Sequence, residues 1–384
     1  MRVFILSRNK ESYSTRRLRA AAVRRGHVVR VVDIMEFSIL LEENNPLLFF
    51  RGETMAQPDA VIPRIGASLT LFGTAIVRQF EQMGVFCLNT SRAITVSSDK
   101  LRSAQLLSRH DIGIPPSAFV HDRNDVLPSI QRVGGAPVII KVLEGTQGVG
   151  VILAESLKVA EAIIETLQSA RQHVLIQKFV AESKGRDLRA LVVGDRVVAA
   201  MRRTAQGDEF RANVHRGGKA ERVDLTPDYE RAAIRAAQIM GLHVAGVDLL
   251  ESRSGPLVME VNSSPGLEGI ETCTGVDVAG AIIAYLEEQV AFPEVDIRER
   301  LNIGSEYQIA EITVHDMPGV ENRTLAESNL GQRDVRVLYI RRKGIEIPNP
   351  HGSTLILPGD RILCYGRSLT LRNLLGKHAR SLSG

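Results

Sequence analysis

Short apolar runs alternate with helix-like stretches from the start of this 384-residue chain, and this alternation limits the folds open to it. The strand-like run RVFILS is followed by the basic helix-like stretch STRRLRAAAVRRG and the strand-like run HVVRVVDI. A polar, proline-containing connection then leads to the strand AVIPRIG, the helix TAIVRQFEQMG and the strand VFCLN. Strands and helices in this order are typical of βαβ units with a parallel sheet. The sequence therefore predicts an α/β domain over residues 1–95.

The character of the alternation changes after this domain. Residues 96–186 contain a helix, a strand, a strand–glycine-rich turn–strand unit and a further helix and strand, whereas residues 187–291 contain two hairpins, each followed by a helix. Residues 292–306 are charged and lack apolar periodicity, which is typical of a linker. Residues 307–384 contain four strand-like runs around one helix-like stretch, TLAESNLGQRD. We therefore expect a multidomain protein of α/β and α+β class.

Composition and charge exclude several classes of protein. The chain is 44% hydrophobic and 24% charged, as in ordinary globular proteins, and it has no apolar run long enough for a membrane span or a signal peptide. We therefore expect a cytoplasmic protein without a membrane partner. Cys87, Cys273 and Cys364 form no CxxC pair, so neither a disulfide framework nor a zinc site is predicted. A net charge of +4 is too small to identify a nucleic-acid-binding protein.

The run VMEVNSSPGLEG places two oxygen-bearing side chains on one face of a strand. Glu260 and Asn262 are two residues apart, so they point the same way. If residues 253–255 form the loop of a hairpin, Asp248 lies directly opposite Glu260. Two carboxylates this close repel each other unless a cation lies between them, and oxygen ligands favour magnesium. The sequence predicts a magnesium site here; a solvated hairpin edge is the alternative.

The run EGTQGVG follows a strand that carries Lys141, and its glycines, Gly145, Gly148 and Gly150, allow the backbone to approach phosphates closely. A flexible turn is the alternative interpretation of such a run. No Gly-Lys-Ser/Thr occurs, which excludes a Walker P-loop, and GxGxxG opens no helix here, which disfavours a Rossmann site.

The segment MRRTAQGDEFRANVHRGG is rich in cationic and amide side chains. These are Arg202, Arg203, Arg211, Asn213, His215 and Arg216. Such a run is often a solvated face or a polyanion patch. Because it lies between strands of the unit that holds the carboxylates, we expect its arginines to stabilise charge on a transferred phosphate.

In combination, these motifs resemble the ATP-grasp ligases, with KVLEGTQGVG as the flap, QKFVAESKGRDLR as the hinge and FRANVHRGG as the arginine segment. The chain is more closely similar to the RimK family, which adds glutamate to the carboxyl terminus of small-subunit ribosomal protein six. The likeness covers roughly residues 1–290. It implies an ATP-grasp fold with an amino-terminal pre-ATP-grasp domain.

The resemblance implies a role for each matched position. Lys141 and Lys100 would contact phosphate, with Gly145 and Gly148 in the flap; the backbone of Lys178 and Phe179 would hold adenine; Asp187 would hold the ribose; Arg211, Ala212 and Asn213 would line the nucleotide site. Asp248, Glu260 and Asn262 would bind two magnesium or manganese ions. Arg203, Arg211 and Asn262 are the predicted catalytic residues. The family often has an acidic residue where this chain has Lys178, so the contact predicted there is through the backbone.

The predicted activity is an ATP-dependent carboxylate–amine ligation through an acyl-phosphate. The leading hypothesis adds glutamate, including poly-glutamate, to the carboxyl-terminal tail of a small-subunit ribosomal protein. The alternatives are a ligase for a small-molecule or carrier-protein acceptor and a non-catalytic nucleotide-sensing ribosome-binding factor. Arg64 and Arg8, which follow amino-terminal strands, are candidates for binding substrate carboxylates, with plain surface arginines as the alternative.

The tail resembles the TrkA-C (RCK-C) module, which in potassium transport proteins binds small ligands and often dimerises. We therefore expect residues 307–384 to bind a small regulatory ligand and the protein to be a homo-oligomer.

Overall fold

A computed structural model describes residues 1–43, 45–143, 150–207, 209–210, 218–291, 306–315, 317 and 319–374. The chain divides into two compact units, Met1–Pro293 and Glu294–Gly384.

The amino-terminal part of the first unit is built on a parallel sheet, as predicted. Its elements are β1 (Arg2–Leu6), α1 (Tyr13–Arg24), β2 (Val28–Val32), β3 (Phe37–Leu40), β4 (Leu47–Phe50), β5 (Glu53–Thr54), β6 (Ala60–Pro63), α2 (Thr70–Gln82) and β7 (Phe86–Cys87). The strand order is β2-β1-β6-β7, and every pair in it is parallel. The Ser12 side chain caps α1 by accepting a bond from the Thr15 N–H, which is why the helix begins there.

The connection between β2 and β6, expected to be a polar link, is in fact a small antiparallel sheet, β3-β4-β5. Phe37 packs edge-on against Phe50 and Phe80, with ring centroids 5.2 and 5.7 Å apart. The predicted polar link was wrong because the strands are only two to four residues long, and aromatic packing on α2 stabilises them.

The middle of the first unit contains two helices that lead into an antiparallel sheet. The elements are α3 (Ser91–Ser98), α4 (Lys100–Arg109), β8 (Ser117–Val120), α5 (Val126–Arg132), β9 (Val138–Val142), β10 (Val151–Ala154), α6 (Leu157–Ser169) and β11 (Val174–Lys178). The strand order is β10-β9-β11-β8. A core of branched residues such as Ile140, Ile164 and Ile176 holds α5 and α6 against this sheet.

A five-stranded antiparallel sheet completes the first unit. Its elements are β12 (Arg186–Val193), β13 (Arg196–Thr204), β14 (Lys219–Arg222), α7 (Pro227–Met240), β15 (Val244–Ser252), β16 (Gly255–Asn262), α8 (Glu268–Thr274) and α9 (Val278–Ala291), and the strand order is β14-β13-β12-β15-β16. One apolar face packs on α7 through Ala233 and Ala237. The other joins α8, α9 and α1 in one core, so the amino-terminal domain and this sheet are packed together.

The second unit is an α+β module with a four-stranded antiparallel sheet, β17-β22-β19-β20. Its elements are β17 (Tyr307–Thr313), β18 (Arg323–Thr324), β19 (Val335–Arg342), β20 (Ile345–Pro348), β21 (Leu355–Ile356), β22 (Arg361–Arg367) and α10 (Ser368–Leu374). The helix predicted from TLAESNLGQRD is wrong: the segment forms turns and a 3₁₀ turn, Leu330–Arg333. Asn329 and Asp334 flank that turn with φ of 53° and 57°, and left-handed residues do not continue a helix.

Within the described ranges, no single helix is long and apolar enough to cross a membrane. The helices α8 and α9 meet the length and composition criteria only as a pair, and the pair is bent by 112°.

Candidate active site

Asp248 and Glu260 are cross-strand partners, as predicted, but the hairpin reaches this pairing by another route. The turn has two residues, Arg253 and Ser254, because Ser252 pairs with Gly255, so the predicted three-residue loop is wrong. A two-residue turn alone would pair Asp248 with Met259. A β-bulge between Asp248 and Leu249 skips Met259 and restores the pairing with Glu260.

The bulge follows from the apolar residues of β16. Val258 and Val261 are both buried in the core beside α7, although they are three positions apart. A strand with strict alternation would turn one of them away from that core. With one residue bulged out, both valines are buried while Glu260 and Asn262 share the opposite face with Asp248.

Charged side chains lie side by side across four strands on that face, and we call this set the ladder. Its members are Arg203 on β13, Asp187 and Arg189 on β12, Asp248 on β15 and Glu260 on β16. Arg203 and Asp187 pair across β13 and β12, and Arg203 Nε and Nη2 lie 2.5 and 2.7 Å from the two Asp187 oxygens.

Asp248 belongs to the same ladder. Arg189 Nε and Nη2 each donate to one oxygen of Asp248 at 2.7 Å, and Arg203 Nη2 lies 3.1 Å from the same carboxylate. Two arginines thus hold Asp248, which is almost fully buried. Burial raises the pKa of Asp248, but Arg189 and Arg203 together outweigh it and hold the pKa to about 2.

Glu260 lies on the edge strand β16, at one end of the ladder, and its electrostatic environment differs from that of Asp248. Its side chain is exposed to solvent, although protein atoms surround it on several sides. The surrounding protein and then the Asp248 carboxylate raise the pKa of Glu260, and Lys141, Arg189 and Lys100 oppose that rise. A cation beside Glu260 would relieve its repulsion from Asp248.

The two lysines predicted to contact phosphate lie near Glu260. Lys141 is on β9, and burial lowers its pKa to about 8, against the opposing effect of Glu260. Lys100 is the first residue of α4, and its Nζ donates to the Val142 carbonyl at 2.9 Å. Burial also lowers the pKa of Lys100, opposed again by Glu260. The structure therefore brings both cations to the carboxylate end of the hairpin.

The residues present fit a hard divalent cation. The Asn262 amide nitrogen is buried without a hydrogen-bond partner among the described residues, as is Ser264 Oγ. Because amide oxygen and nitrogen positions are interchangeable by a flip, the same site can present the Asn262 carbonyl oxygen. Two carboxylates and an amide oxygen are suitable ligands for magnesium. The described residues contain no cluster of three His, Cys, Asp or Glu side chains, so the amide is needed as the third protein ligand.

Close packing fixes the turn after Asn262. Gly246 pairs with Asn262, and a Cβ on Gly246 would lie 2.9 Å from the Pro265 Cβ. The turn is also tied to the amino-terminal domain, because Leu267 N–H donates to Ser14 Oγ at 3.0 Å and Asn89 Nδ2 donates to the Ser263 carbonyl at 2.8 Å.

Of the other residues predicted to contact the nucleotide, Lys178, Phe179 and Asp187 lie within the described ranges. Lys178 and Phe179 follow each other at the end of β11, and the Lys178 N–H already donates to the Pro116 carbonyl at 2.8 Å. Asp187 is buried, with both oxygens bonded to Arg203. The other predicted residues, Gly145, Gly148, Arg211, Ala212 and Asn213, lie outside the described residues. The roles assigned to all these positions stay predictions.

Neighbouring arginines of the cationic segment separate onto two faces of the sheet. Arg203 joins the ladder, whereas Arg202 bonds Glu251 and Glu221 on the opposite face. A solvent-open cavity of about 620 Å³ lies beside Arg202 and Glu251, away from the ladder. This cavity is therefore distinct from the site formed by the paired carboxylates.

Two side chains that support the candidate site, Arg189 and Glu271, were not predicted from the sequence. Arg189 is two residues after Asp187 on β12, so the period of the strand was a usable signal that both share a face. Glu271, in contrast, accepts bonds from Tyr13 and Arg17, about 250 positions away, and no local pattern indicates this contact. It ties α8 to α1 and so stabilises the position of the amino-terminal domain.

Family models match almost the whole chain. The RimK PreATP-grasp domain matches residues 1–94, the RimK-like ATP-grasp domain matches residues 97–286, and the TrkA-C domain matches residues 309–375.

Close relatives share most of this sequence. A protein of Rhodopirellula baltica described as a probable alpha-L-glutamate ligase is 57% identical over 380 residues, which cover 99% of this chain and 94% of that protein. A protein of Picosynechococcus with the same description is 55% identical over 291 residues, covering 76% of this chain and 97% of its own length.

Solved structures share the fold of the first three-quarters of the chain. The ATP-grasp ligase PsnB, complexed with precursor peptide PsnA2 and AMPPNP, matches with a TM-score of 0.60 at 22% identity, covering 76% of this chain and 98% of that one. A RimK domain ATP-grasp protein of Sphaerobacter thermophilus matches with a TM-score of 0.56 at 22% identity, covering 75% of this chain and all of that one. The chain therefore belongs to the RimK family of ATP-grasp proteins, as an ATP-dependent carboxylate–amine ligase that carries a carboxyl-terminal TrkA-C domain.

Proposed function

We propose that this protein attaches L-glutamate through its amine to the carboxyl terminus of a polypeptide, in a reaction driven by ATP. The observation that carries this proposal is the set Asp248, Glu260 and Asn262 on one face of the β15–β16 hairpin, with Lys141 and Lys100 beside it. The description of the Rhodopirellula baltica relative as a probable alpha-L-glutamate ligase supports glutamate as the amine substrate.

The reaction proceeds in two steps. An oxygen of the acceptor carboxylate attacks the γ-phosphorus of ATP, the bond between the β,γ-bridging oxygen and that phosphorus breaks, and ADP leaves. The deprotonated amine of glutamate then attacks the acyl carbon, a C–N bond forms, the C–O bond to phosphate breaks, and inorganic phosphate leaves. The protons lost by the amine go to water and phosphate. Positioning and charge neutralisation are sufficient for such transfers, so no protein nucleophile is required.

The side chains have distinct roles in this proposal. Lys141 and Lys100 neutralise phosphate charge, and Asp248, Glu260 and Asn262 hold magnesium. Magnesium, when bound, supplies electrostatic stabilisation of the phosphate oxygens. Arg203 and Arg189 position Asp248 and keep it ionised, because each donates to it from within the ladder. The catalytic role predicted for Arg203 is in this proposal one of positioning.

We propose a small-subunit ribosomal protein tail as the acceptor, with the reaction in the cytoplasm. The resemblance to the RimK family supports this choice, and the net charge of +4 agrees with an acidic tail. A small-molecule or carrier-protein acceptor is the enzymatic alternative.

The test is a mass spectrum of candidate acceptors after incubation with ATP, magnesium and glutamate. We expect mass increments of one glutamyl residue on a peptide that ends in acidic residues. A Glu260→Gln variant is the matched control, because it should leave the peptide unmodified. Phosphate release that depends on glutamate but not on any polypeptide would instead support a small-molecule acceptor.

We further propose that the TrkA-C domain binds a small regulatory ligand and assists homo-oligomer formation. Its compact core, which includes Ile312, Ile340 and Ile362, supports an independently folded module. Deletion of residues 300–384 should change either the oligomeric state in light scattering or the response of the ligase to added small ligands. Unchanged assembly and unchanged activity with every ligand tried would contradict the proposal.

A further inference from the structure

The parallel sheet of the amino-terminal domain has a topological switch point, to which the proposed reaction assigns no role. The chain passes from β1 through α1 to β2 on one side, and from β6 through α2 to β7 on the other. The switch in direction therefore lies between β1 and β6, which are adjacent and parallel. In open α/β sheets, ligands bind outside the carboxyl ends of the strands at such a point.

Arg64 lies at this switch point. It follows β6 directly, and its N–H donates to the Leu6 carbonyl at the end of β1, at 2.9 Å. The next residue, Ile65, is buried and packs so closely on α2 that a Cβ at Gly73 would lie 2.8 Å from it. The backbone that carries Arg64 is therefore held firmly on both sides.

The side chain of Arg64 has no counterion among the described residues. It is partly buried and surrounded by protein, and burial alone lowers its pKa to about 10. Some other arginines of the same domain do bond a carboxylate, namely Arg17, Arg24, Arg25 and Arg51. A desolvated guanidinium without a partner carries an energetic cost, which a bound anion would remove.

Two hydrogen bonds attach this edge of the sheet to the turn that follows the predicted metal ligand Asn262. On the β1 side, Ser14 of α1 accepts a bond from the Leu267 N–H. On the β7 side, Asn89 donates to the Ser263 carbonyl. Both contacts attach the carboxyl edge of the sheet, which also carries Arg64, to the turn that follows Asn262.

We propose that Arg64 binds a substrate carboxylate that is not the one phosphorylated. This inference rests on the proposed function and specifies its substrate recognition. Glutamate joined through its amine retains two non-reacting carboxylates, and an acidic acceptor tail also carries such groups in its side chains. A guanidinium binds either through two parallel hydrogen bonds.

The test compares Arg64→Met, which keeps the apolar stem, with Arg64→Lys, which keeps the charge. Arg78→Met, an exposed arginine on α2, is the matched control. We expect Arg64→Met to raise the KM for glutamate roughly ten- to hundredfold if the amine substrate is bound, or the KM for the acceptor peptide if the tail is bound. Arg64→Lys should restore part of the loss, and Arg78→Met should change neither KM.

Thermal unfolding separates binding from a structural role. Because Arg64→Met removes an uncompensated charge, its Tm should equal or exceed that of the wild type, and a lowered Tm with both KM values unchanged would overturn the proposal. Glutamate and glutarate should each raise the Tm of the wild type more than that of Arg64→Met if the amine substrate is bound, and an acidic acceptor peptide should do so if the tail is bound. An equal rise in both proteins with all three ligands also overturns the proposal. A wild type that these dicarboxylates stabilise but that joins glutamate to no acceptor contradicts the proposed function and leaves the assignment of Arg64 supported.

Discussion

Asp248 and Glu260 face each other across β15 and β16, although the turn that joins these strands would by itself pair Asp248 with Met259. The bulge at Met259 buries Val258 and Val261 together and leaves both carboxylates on the polar face. Packing of the core thus fixes the geometry of the site. Two carboxylates this close repel each other, which favours binding of a cation between them.

Replacing Glu260 with Gln should abolish most turnover while the protein stays folded. Burial and the nearby Asp248 raise the pKa of Glu260, so a neutral side chain relieves repulsion and should leave the Tm unchanged or higher. Loss of one charged ligand in a preorganised site should lower kcat by about 100-fold or more. Steady-state kinetics measure the change in kcat and thermal unfolding measures the change in Tm. Glu268→Gln, at an exposed position, is the control. An unchanged kcat would remove Glu260 from the metal site.

Replacing Arg189 with Met should destabilise the protein through Asp248. The variant leaves a buried carboxylate with one arginine instead of two, which should lower the free energy of unfolding by about 2–4 kcal/mol. Adding Asp248→Asn should recover part of this loss, because the unpaired charge is then removed. Chemical denaturation of the two single variants and the double variant measures the coupling.

Arg202→Met is the matched control for the Arg189 and Asp248 variants. Arg202 lies next to Arg203 but bonds partly exposed carboxylates on the other face, so its loss should cost less than about 1 kcal/mol. Equal losses for Arg189→Met and Arg202→Met would contradict the special role of the buried ladder.

Nucleotide affinity should fall as the pH rises above 8. Burial lowers the pKa of Lys141 to about 8, so the uncharged lysine predominates at pH 9, where binding of phosphate must be accompanied by proton uptake. The affinity for ADP should therefore weaken by up to about tenfold between pH 7 and pH 9. Calorimetric titration across this range measures it. Lys141→Arg, which stays charged, should flatten the profile, and the same decline in that variant would assign the effect to another group.

The fold itself should depend on Lys141 in the opposite direction. Its pKa in the folded state lies below the ordinary value of 10.5, because burial disfavours the charged form. The free-energy cost of burying that charge is therefore fully present below about pH 8. This cost disappears as the pH rises from 8 towards 10.5. The contribution of Lys141 to stability therefore becomes more favourable over the range in which nucleotide affinity weakens.

Replacing Gly246 with Ala should disturb the turn after Asn262. The new Cβ would lie 2.9 Å from the Pro265 Cβ, and the proline ring cannot rotate away. We expect a loss of about 1–3 kcal/mol in stability together with weaker magnesium binding, because Asn262 is the cross-strand partner of Gly246. Thermal unfolding with and without magnesium checks this. Gly266→Ala is the control, since a Cβ there would meet no atom within 4 Å.

The sequence alone determined the order of strands and helices and the candidate ligands. Short apolar runs indicated β1 and β2, and counting across the turn indicated the hairpin of β15 and β16, since strand and helix periods are local properties of the chain. The face shared by Glu260 and Asn262 followed from the same rule. The small sheet β3-β4-β5 and the turns around Leu330 were not predicted correctly, because short elements depend on packing against distant residues.

Only the tertiary structure decided how the ligands are supported. The bulge at Met259 depends on the core beneath β16, and the arginine pair on Asp248 depends on strands that lie about 45 to 60 positions away in the chain. The attachment of the amino-terminal sheet to the turn after Asn262 depends on bonds made by Ser14 and Asn89. These contacts join residues far apart in sequence, and local pattern carries no information about them because burial and charge pairing are settled only when the whole chain has packed.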